Sequence, residues 1–312
     1  MESFLLAIGA VFPMLIYMTV GGLTKKLKIM SEDNFKRMNE MIFRVLIPIS
    51  LFFDIYTSDL KTVAQPKLFI FAGVMVLVVF VSTWLLISRL VKDKADSATV
   101  VQGIFRSNYV LFGTVLCSSL CGEEGAAISA ALAVVVVPMF NMLSVILFET
   151  LRGGGVKPER LILQIFKNPL VDAALLGMLC NLVGLPIPGL LASPFTKLGS
   201  IASPLALFTL GGLLSFRSMA SHRGLLLSAV AGRLIVVPLI AVVISIALGF
   251  REAALVALLS AFASPTAVSS APMAQSMGGN GALAGEIVAV SSAASILTIF
   301  VFSFALSSLG LI

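Results

Sequence analysis

The segment QGIFRSNY, residues 102–109, is the most polar stretch inside any long apolar run of this chain. Its Arg106 would cost about 2.5–3.5 kcal/mol at the centre of a bilayer, so it needs a carboxylate, water or an anionic ligand. A second segment, FASPTA (residues 262–267), places Pro265 inside another apolar run, where the ring removes a backbone hydrogen bond. Taken alone, Pro265 is more simply a packed kink. Together the two segments predict interrupted helices around a binding site, because freed backbone groups in hydrocarbon must find partners.

The composition around these segments is that of a membrane protein. Of the 312 residues, 59% are apolar and 12% are charged, against about 25% charged residues in soluble domains. A soluble domain could not bury so much apolar surface, and a disordered chain would be far more polar. We therefore predict an all-α polytopic membrane protein.

The same composition disfavours several functions. The net charge of +6 lies in short clusters between apolar runs, so we expect no nucleic-acid partner. The three cysteines lie in apolar segments and the single histidine, His222, lies in a loop. Neither a metal site nor histidine-based catalysis is therefore expected. We predict a protein that is not an enzyme and uses no cofactor.

Ten apolar runs are long enough to cross a bilayer as helices, which takes about 20 residues each. The first is predicted to be a retained span rather than a signal peptide, because no basic segment precedes it. The predicted spans, numbered in chain order, are 3–23, 38–57, 68–90, 98–121, 125–150, 168–185, 191–216, 223–249, 252–277 and 281–311.

Basic residues set the predicted orientation of these spans. Fourteen Lys or Arg residues lie in the loops that follow spans 1, 3, 5 and 7, and four lie in the alternate loops. By the positive-inside rule, the first set of loops is cytoplasmic. Both termini are then predicted to lie outside, which agrees with an even number of spans.

An internal repeat is predicted from an offset of 156 residues. At this offset Pro13 meets Pro169 and Pro48 meets Pro204 without gaps. The chain has only 13 prolines, so two such matches favour a repeat, although coincidence is the alternative. Five spans per unit is an odd number, so the second unit must be inverted relative to the first.

The predicted division follows from this repeat. The first inverted repeat covers 1–151, a cytoplasmic linker covers 152–167, and the second repeat covers 168–312. Span 4 then corresponds to span 9, and the offset aligns Ser264-Pro265 with Asn108-Tyr109. Two polar interruptions at equivalent positions indicate a site near the middle of the membrane.

Four ionisable residues lie well inside predicted spans: Arg106, Asp172, Arg233 and Glu286. Internal ion pairs are the favoured interpretation of Arg233 and Glu286, because neither has polar neighbours in sequence. Asp172 lies about one turn into span 6. It is expected either to carry a coupled proton or ion, or to stabilise that helix start through the helix dipole.

Six features of the chain form a recognisable series: LIPISLFF (46–53), NYVLFG (108–113), KNP (167–169), FTLGG (208–212), RLIVVP (233–238) and the break at Pro265. In order and spacing, over essentially the whole chain, they resemble segments of the auxin efflux carrier family. The short linker resembles that of the bacterial branch, whose members are described as carriers of malonate, malate and similar carboxylates.

This resemblance implies an architecture and a mechanism. The family has ten helices in two inverted five-helix repeats, in a fold related to bile-acid symporters and sodium/proton antiporters. Spans 1, 2, 6 and 7 would form a dimerising scaffold, and spans 3–5 and 8–10 a transport domain in which broken spans 4 and 9 cross. That domain would move like an elevator. A homodimer in the bacterial inner membrane is implied, with both termini on the periplasmic side.

Binding residues are also implied by the resemblance. Asn108 matches the family's crossover asparagine, and Pro265 matches its crossover proline. Two positions depart from the plant members. Those members have proline where this chain has Ser107, and they lack an arginine at the position of Arg106. The start of span 6 faces the pocket, and span 2 lines the scaffold side. The complete predicted set is Ile47, Pro48, Arg106, Ser107, Asn108, Tyr109, Asn168, Pro169, Ser264, Pro265 and Thr266, with Asp172 for ion coupling.

The cargo hypothesis rests on Arg106, because a buried guanidinium suits a carboxylate. We predict a carrier of small carboxylate anions, dicarboxylates preferred, with malonate and malate leading. The alternative is a sodium- or proton-coupled carrier of a monocarboxylate or an auxin-like aromatic acid. A membrane-embedded receptor or assembly subunit is a third class, and it would bind ligand without flux.

Overall fold

A computed structural model describes residues 2–57, 65–152, 168–214 and 216–312. In these ranges every regular element is helical, apart from an isolated β-bridge. All of the predicted linker except Arg152 lies outside the described residues. The helices are α1 (Glu2–Lys26), α2 (Glu32–Met41), α3 (Ile47–Tyr56), α4 (Pro66–Leu90), α5 (Lys94–Phe105), α6 (Tyr109–Arg152), α7 (Pro169–Val183), α8 (Gly189–Ser200), α9 (Ala202–Leu213), α10 (Phe216–Ser221), α11 (Arg223–Ala231), α12 (Val237–Ala247), α13 (Glu252–Ala263), α14 (Ser270–Ser276) and α15 (Gly281–Ser308), with π-helical turns at Ile42–Leu46 and Gly232–Val236.

Four helices in the described ranges are long and apolar enough to cross a membrane: Pro66–Leu90, Val115–Thr150, Arg223–Ala247 and Gly281–Ser308. Their outward faces carry large apolar side chains, such as Ile70 and Val74 on α4, that water would not favour. A multi-pass membrane protein, which the composition predicts, is therefore supported by the arrangement of the helices.

Polar caps explain where several helices begin. Ser31, Asp93, Asn168 and Asn280 each precede a helix, and their side-chain oxygens accept a backbone hydrogen bond from its first turn. Such bonds satisfy N–H groups that have no partner within the helix. Short polar residues at the edges of apolar runs thus separate one span from the next.

Two predicted spans differ in detail from the observed helices. The predicted span 7, 191–216, is two helices, because α8 ends at Ser200 and α9 begins at Ala202. The predicted end of span 4 at Cys121 lies within α6, where Cys121 and Gly122 depart from helical geometry. Gly122 has φ of +61°, a left-handed conformation that glycine adopts without strain.

Both interruptions predicted from the polar segments are present. Helix α5 ends at Phe105 and α6 begins at Tyr109, while α13 ends at Ala263 and α14 begins at Ser270. We call residues 106–108 and 264–269 the crossover, because their extended chains meet there. Ser107 and Thr266 form an isolated antiparallel bridge at this place.

Glycines allow α1 and α9 to pack with almost no space between their backbones. A methyl group on Gly211 would overlap the carbonyl of Met18, and one on Gly21 would overlap the carbonyl of Phe208. Neighbouring Gly22 is different, because a methyl group there would be 3.4 Å from the carbonyl oxygen of Gly211, an ordinary contact. Small residues commonly bring transmembrane helices this close.

Gly211→Ala is expected to reduce the yield of folded protein sharply, because the helices must separate to admit the methyl group. Gly22→Ala is the matched control and should remain close to wild type. Size-exclusion chromatography and thermal unfolding of the two purified variants would test this difference. Equal stability of both variants would mean that α1 and α9 do not pack this closely.

Candidate functional site

A cavity of about 90 Å³ lies beside the crossover, and we call it the central cavity. A single buried water needs roughly 10–15 Å³ on the same measure, so several water-sized groups fit. Its wall comes from α3, α6, the start of α9 and the crossover. The lining residues are Ile47, Ser50, Leu51, Asp54, Arg106, Ser107, Asn108, Leu111, Val137, Phe140, Asn141, Ala202, Ser203, Ala267, Val268 and Ser269.

Arg106 places a buried positive charge at this cavity, with 3% of its surface exposed. Its Nη2 donates to Asn141 Oδ1 at 2.6 Å and to Ser269 Oγ at 2.8 Å, and its Nη1 contacts Met273 Sδ at 2.9 Å. Within the described ranges no carboxylate lies within 4 Å of the guanidinium. Neutral groups thus hold Arg106 in place and leave its charge without a counter-ion from the described chain.

Two further polar groups line the central cavity without a hydrogen-bond partner among the described residues. They are the Ser107 hydroxyl and the Asn108 side-chain amide nitrogen, and both residues are buried. Buried polar groups in proteins almost always have partners, so these two indicate a site for a molecule that accepts hydrogen bonds. A carboxylate oxygen is an acceptor that would suit such donors.

The crossover itself is joined through main-chain atoms. The Asn108 N–H donates to the Pro265 carbonyl at 2.8 Å, and the Ala267 N–H donates to the Arg106 carbonyl at 3.2 Å. The Thr266 hydroxyl donates to the Gly103 carbonyl at 2.7 Å. These bonds satisfy backbone groups that the interruptions leave without helical partners.

Arg233 also holds the crossover together, although it is far from the crossover in sequence. Its guanidinium is fully buried and donates to five carbonyls at the ends of both interrupted helices. The distances are 3.0 and 3.1 Å to Ile104 and Phe105, and 2.9 Å to Ser264, with Ala261 and Phe262 also accepting. A cation is favourable at this place because both helix C-termini carry partial negative charge.

The predicted ion pairing of Arg233 and Glu286 is therefore wrong. Arg233 binds carbonyl oxygens, whereas Glu286 lies 3.4 Å from Nδ1 of His222, measured from its Oε2. Carbonyl groups occur at every residue, so the sequence does not show which of them a buried arginine will bind. A buried arginine without polar sequence neighbours was consequently misread as half of an ion pair.

Several predicted site residues do not line the central cavity. They make contacts at or near the crossover instead. The Tyr109 hydroxyl donates to the Ser129 carbonyl at 3.0 Å, away from the central cavity. Ser264, Pro265 and Thr266 are buried, and their atoms are used in the crossover contacts described above. Of the predicted set, Arg106, Ser107, Asn108 and Ile47 line the central cavity.

The remaining predicted residues lie beside the cavity or away from it. Pro48 follows Ile47 in the first turn of α3 and is half-buried. Asn168 caps α7, with its Nδ2 3.8 Å from Met277 Sδ, and Pro169 is the first residue of that helix. Asp172 is exposed and does not line the central cavity.

Asn141 and Asp54 are two of the cavity residues that were not predicted from the sequence. Asn141 is a single polar residue within the apolar span 5, and that isolation was the signal that would have identified it. Asp54 lies within the predicted span 2, three residues before its end, and was not counted among the ionisable residues well inside a span. Its Oδ2 accepts a 3.3 Å hydrogen bond from the Ser50 hydroxyl, one turn earlier on α3.

Two comparisons with known proteins identify the family of this chain. The model of a family described as membrane transport protein matches residues 6–303. A protein from Methanothermobacter thermautotrophicus, named an uncharacterized transporter, is 27% identical over 246 residues, which are 77% of this chain and 79% of the relative. The family assignment made from the sequence segments is thereby confirmed. The chain belongs to the membrane transport protein family, that of the auxin efflux carriers.

Proposed function

We propose that this transporter carries small organic carboxylate anions and prefers dicarboxylates, with malonate and malate as the leading cargoes. The observation that carries the proposal is Arg106, a buried cation at a cavity with no carboxylate within 4 Å in the described ranges. A first carboxylate would bind its guanidinium. The free donors of Ser107 and Asn108 would hold a second one.

The proposed architecture is ten transmembrane spans in two inverted repeats. Matching helix lengths support it: Pro66–Leu90 and Arg223–Ala247 each have 25 residues, and Lys94–Phe105 and Glu252–Ala263 each have 12. The second pair ends at the two interruptions. Gly122 and Gly278, which are 156 residues apart, both have positive φ, at +61° and +82°.

The proposed mechanism is elevator-type alternating access. Spans 3–5 and 8–10 would carry the crossover and its bound anion past a scaffold of spans 1, 2, 6 and 7. The wall of the central cavity is compatible with this division, because it contains residues of α3 and α9, from the proposed scaffold, as well as residues of α6 and the crossover. We further propose a homodimer in the bacterial inner membrane, with both termini outside.

A second cargo class is favoured by the apolar part of the cavity wall. Ile47, Leu51, Leu111, Val137 and Phe140 would suit the hydrocarbon part of a monocarboxylate or an aromatic acid. Arg106 would bind the single carboxylate in that case. Sodium or proton coupling would then be needed to accumulate such an acid against its gradient.

Counterflow in proteoliposomes tests the proposed function without a guess about the driving ion. Vesicles loaded with unlabelled malonate should transiently accumulate labelled malonate from outside. Malate should compete strongly, and lactate and indole-3-acetate weakly, because neither of these fills both parts of the site. Stronger competition by indole-3-acetate would favour the second class. No counterflow of any acid by folded protein would refute a carboxylate carrier, and saturable binding without flux would favour a receptor.

A further inference from the structure

Asn141 makes the shortest hydrogen bond to Arg106 in the described ranges. It is 7% exposed and lines the central cavity, and its Oδ1 accepts from Arg106 Nη2 at 2.6 Å. Its Nδ2 donates to the Val137 carbonyl at 2.9 Å. These two bonds fix the direction of the amide, because a guanidinium can only donate and a carbonyl can only accept. Asn141 therefore offers Arg106 an acceptor oxygen that carries no charge.

An aspartate in this place would have nearly the same size and shape. It would accept the same hydrogen bond from Arg106, but as one half of an ion pair. Buried charges are usually paired in this way, because a charge that has left water without a partner is unfavourable. A neutral residue at position 141 thus leaves the empty site with an uncompensated cation, which a bound anion would compensate.

The other contacts of Arg106 leave it equally free to bind an anion. Ser269 and Met273 are neutral, and with Asn141 they engage three of the five N–H groups of a guanidinium, so two remain for a ligand as far as the described residues show. Asp54 is the acidic residue of the cavity wall in the described ranges, and it lies beyond the 4 Å of an ion pair with Arg106. The selectivity of this cation consequently depends on the residue that holds it.

Asn141 and Arg106 also belong to the same part of the proposed mechanism. Asn141 lies on α6 in span 5, and Arg106 lies in the crossover, at the break in span 4. Both spans belong to the proposed transport domain. The hydrogen bond between them would therefore move with the bound anion and persist through the transport cycle.

We propose that Asn141 determines the charge selectivity of the site, because it holds Arg106 through a neutral oxygen and so keeps the cation available to an anionic cargo. This inference rests on the proposed function. Asn141 acts here through Arg106 and is a positioning residue. A carboxylate in its place would occupy the guanidinium and compete with the cargo.

Asn141→Asp tests this role, because it introduces a carboxylate with almost no change of shape. The dissociation constant of labelled malonate, measured by equilibrium dialysis against the purified chain, should rise about 10- to 100-fold. The unfolding temperature without malonate should stay the same or rise, because the buried cation gains a counter-ion. A merely structural role of Asn141 would not give a weaker site in a protein of equal or greater stability.

Three further variants make the result specific. Asn141→Ser keeps a neutral acceptor but changes the shape, so it should weaken malonate binding less than Asn141→Asp does. Asn34→Asp, the same change at an exposed position of α2, is the matched control and should bind malonate as the wild type does. Should Asn141→Asp not fold, Ser269→Asp repeats the test, because the Ser269 hydroxyl accepts from the same Nη2 at 2.8 Å.

The outcomes separate this inference from the proposed function. Wild-type affinity for malonate in folded Asn141→Asp would overturn the role of Asn141 and leave carboxylate transport intact. A greater loss of affinity in Asn141→Ser than in Asn141→Asp would also overturn it, because shape rather than charge would then matter at this position. Absence of both carboxylate binding and counterflow in the folded wild type would refute the proposed function, and this inference with it.

Discussion

Arg106→Gln should lower the rate of malonate uptake at limiting substrate by about 10- to 100-fold while the protein remains folded. Hydrogen bonds to charged groups contribute about 1.5–3 kcal/mol, and each 1.4 kcal/mol is a factor of ten. Glutamine keeps one amide donor toward Asn141 or Ser269 but lacks the charge that attracts the anion. Initial rates at several malonate concentrations would show the loss chiefly as weaker apparent affinity.

Two variants control for indirect effects of this change. Arg106→Lys keeps a positive charge without the planar fork, so it should retain part of the uptake. Arg44→Gln removes an exposed arginine that pairs with Glu40, and it should transport normally. Unchanged transport kinetics in folded Arg106→Gln would remove Arg106 from the binding site and with it the main support for an anionic cargo.

Arg233→Met should abolish the folded state rather than transport alone. The change would leave five carbonyls without the donor that now satisfies them. Each unsatisfied buried carbonyl costs about 1–3 kcal/mol, and the total is comparable with the whole stability of a typical domain, about 5–15 kcal/mol. Aggregation during size-exclusion chromatography, or a greatly lowered unfolding temperature, would be the measured result.

A second arginine provides a close control for this loss. Arg251 also donates to backbone carbonyls, those of Ile246 and Phe250, but it is exposed and water can replace it. Arg251→Met should therefore destabilise the protein much less. Arg233→Lys should be intermediate, because an ammonium group has three donors and cannot reach all five carbonyls. Equal stability of Arg233→Met and wild type would falsify the role of Arg233 in joining the two helices.

The positions of the interruptions were predictable because they violate the apolar pattern of a span. Pro265 and the polar segment 102–109 locate both breaks to within a few residues of the observed ones. Arg106, Ser107 and Asn108 were accessible to the same reasoning, since polar side chains inside a membrane need partners. Helix starts were predicted less accurately: the predicted span 4 begins at 98, whereas Asp93 caps a helix that begins at Lys94.

Contacts between distant elements could not be predicted in the same way. The partners of Arg233 are carbonyls, which every residue has, so no spacing of side chains identifies them. The cavity wall depends on how α3 packs beside the crossover, and that packing brings Asp54 from a span edge to the site. The pairing of Ser107 with Thr266 was not predictable either, because the sequence offset aligns equivalent positions of the two halves and does not indicate which residues are in contact.

The construction of the crossover has a consequence for how cargo specificity can evolve. Main-chain bonds, Thr266 and Arg233 hold its two extended segments together, whereas the side chains of Asp54 and Ser203 form part of the adjoining wall. Substitutions at these two wall positions change the chemistry offered to a ligand without removing a hydrogen bond from the crossover. Selectivity can therefore diverge among relatives, or be redesigned in the laboratory, while the structural framework stays intact.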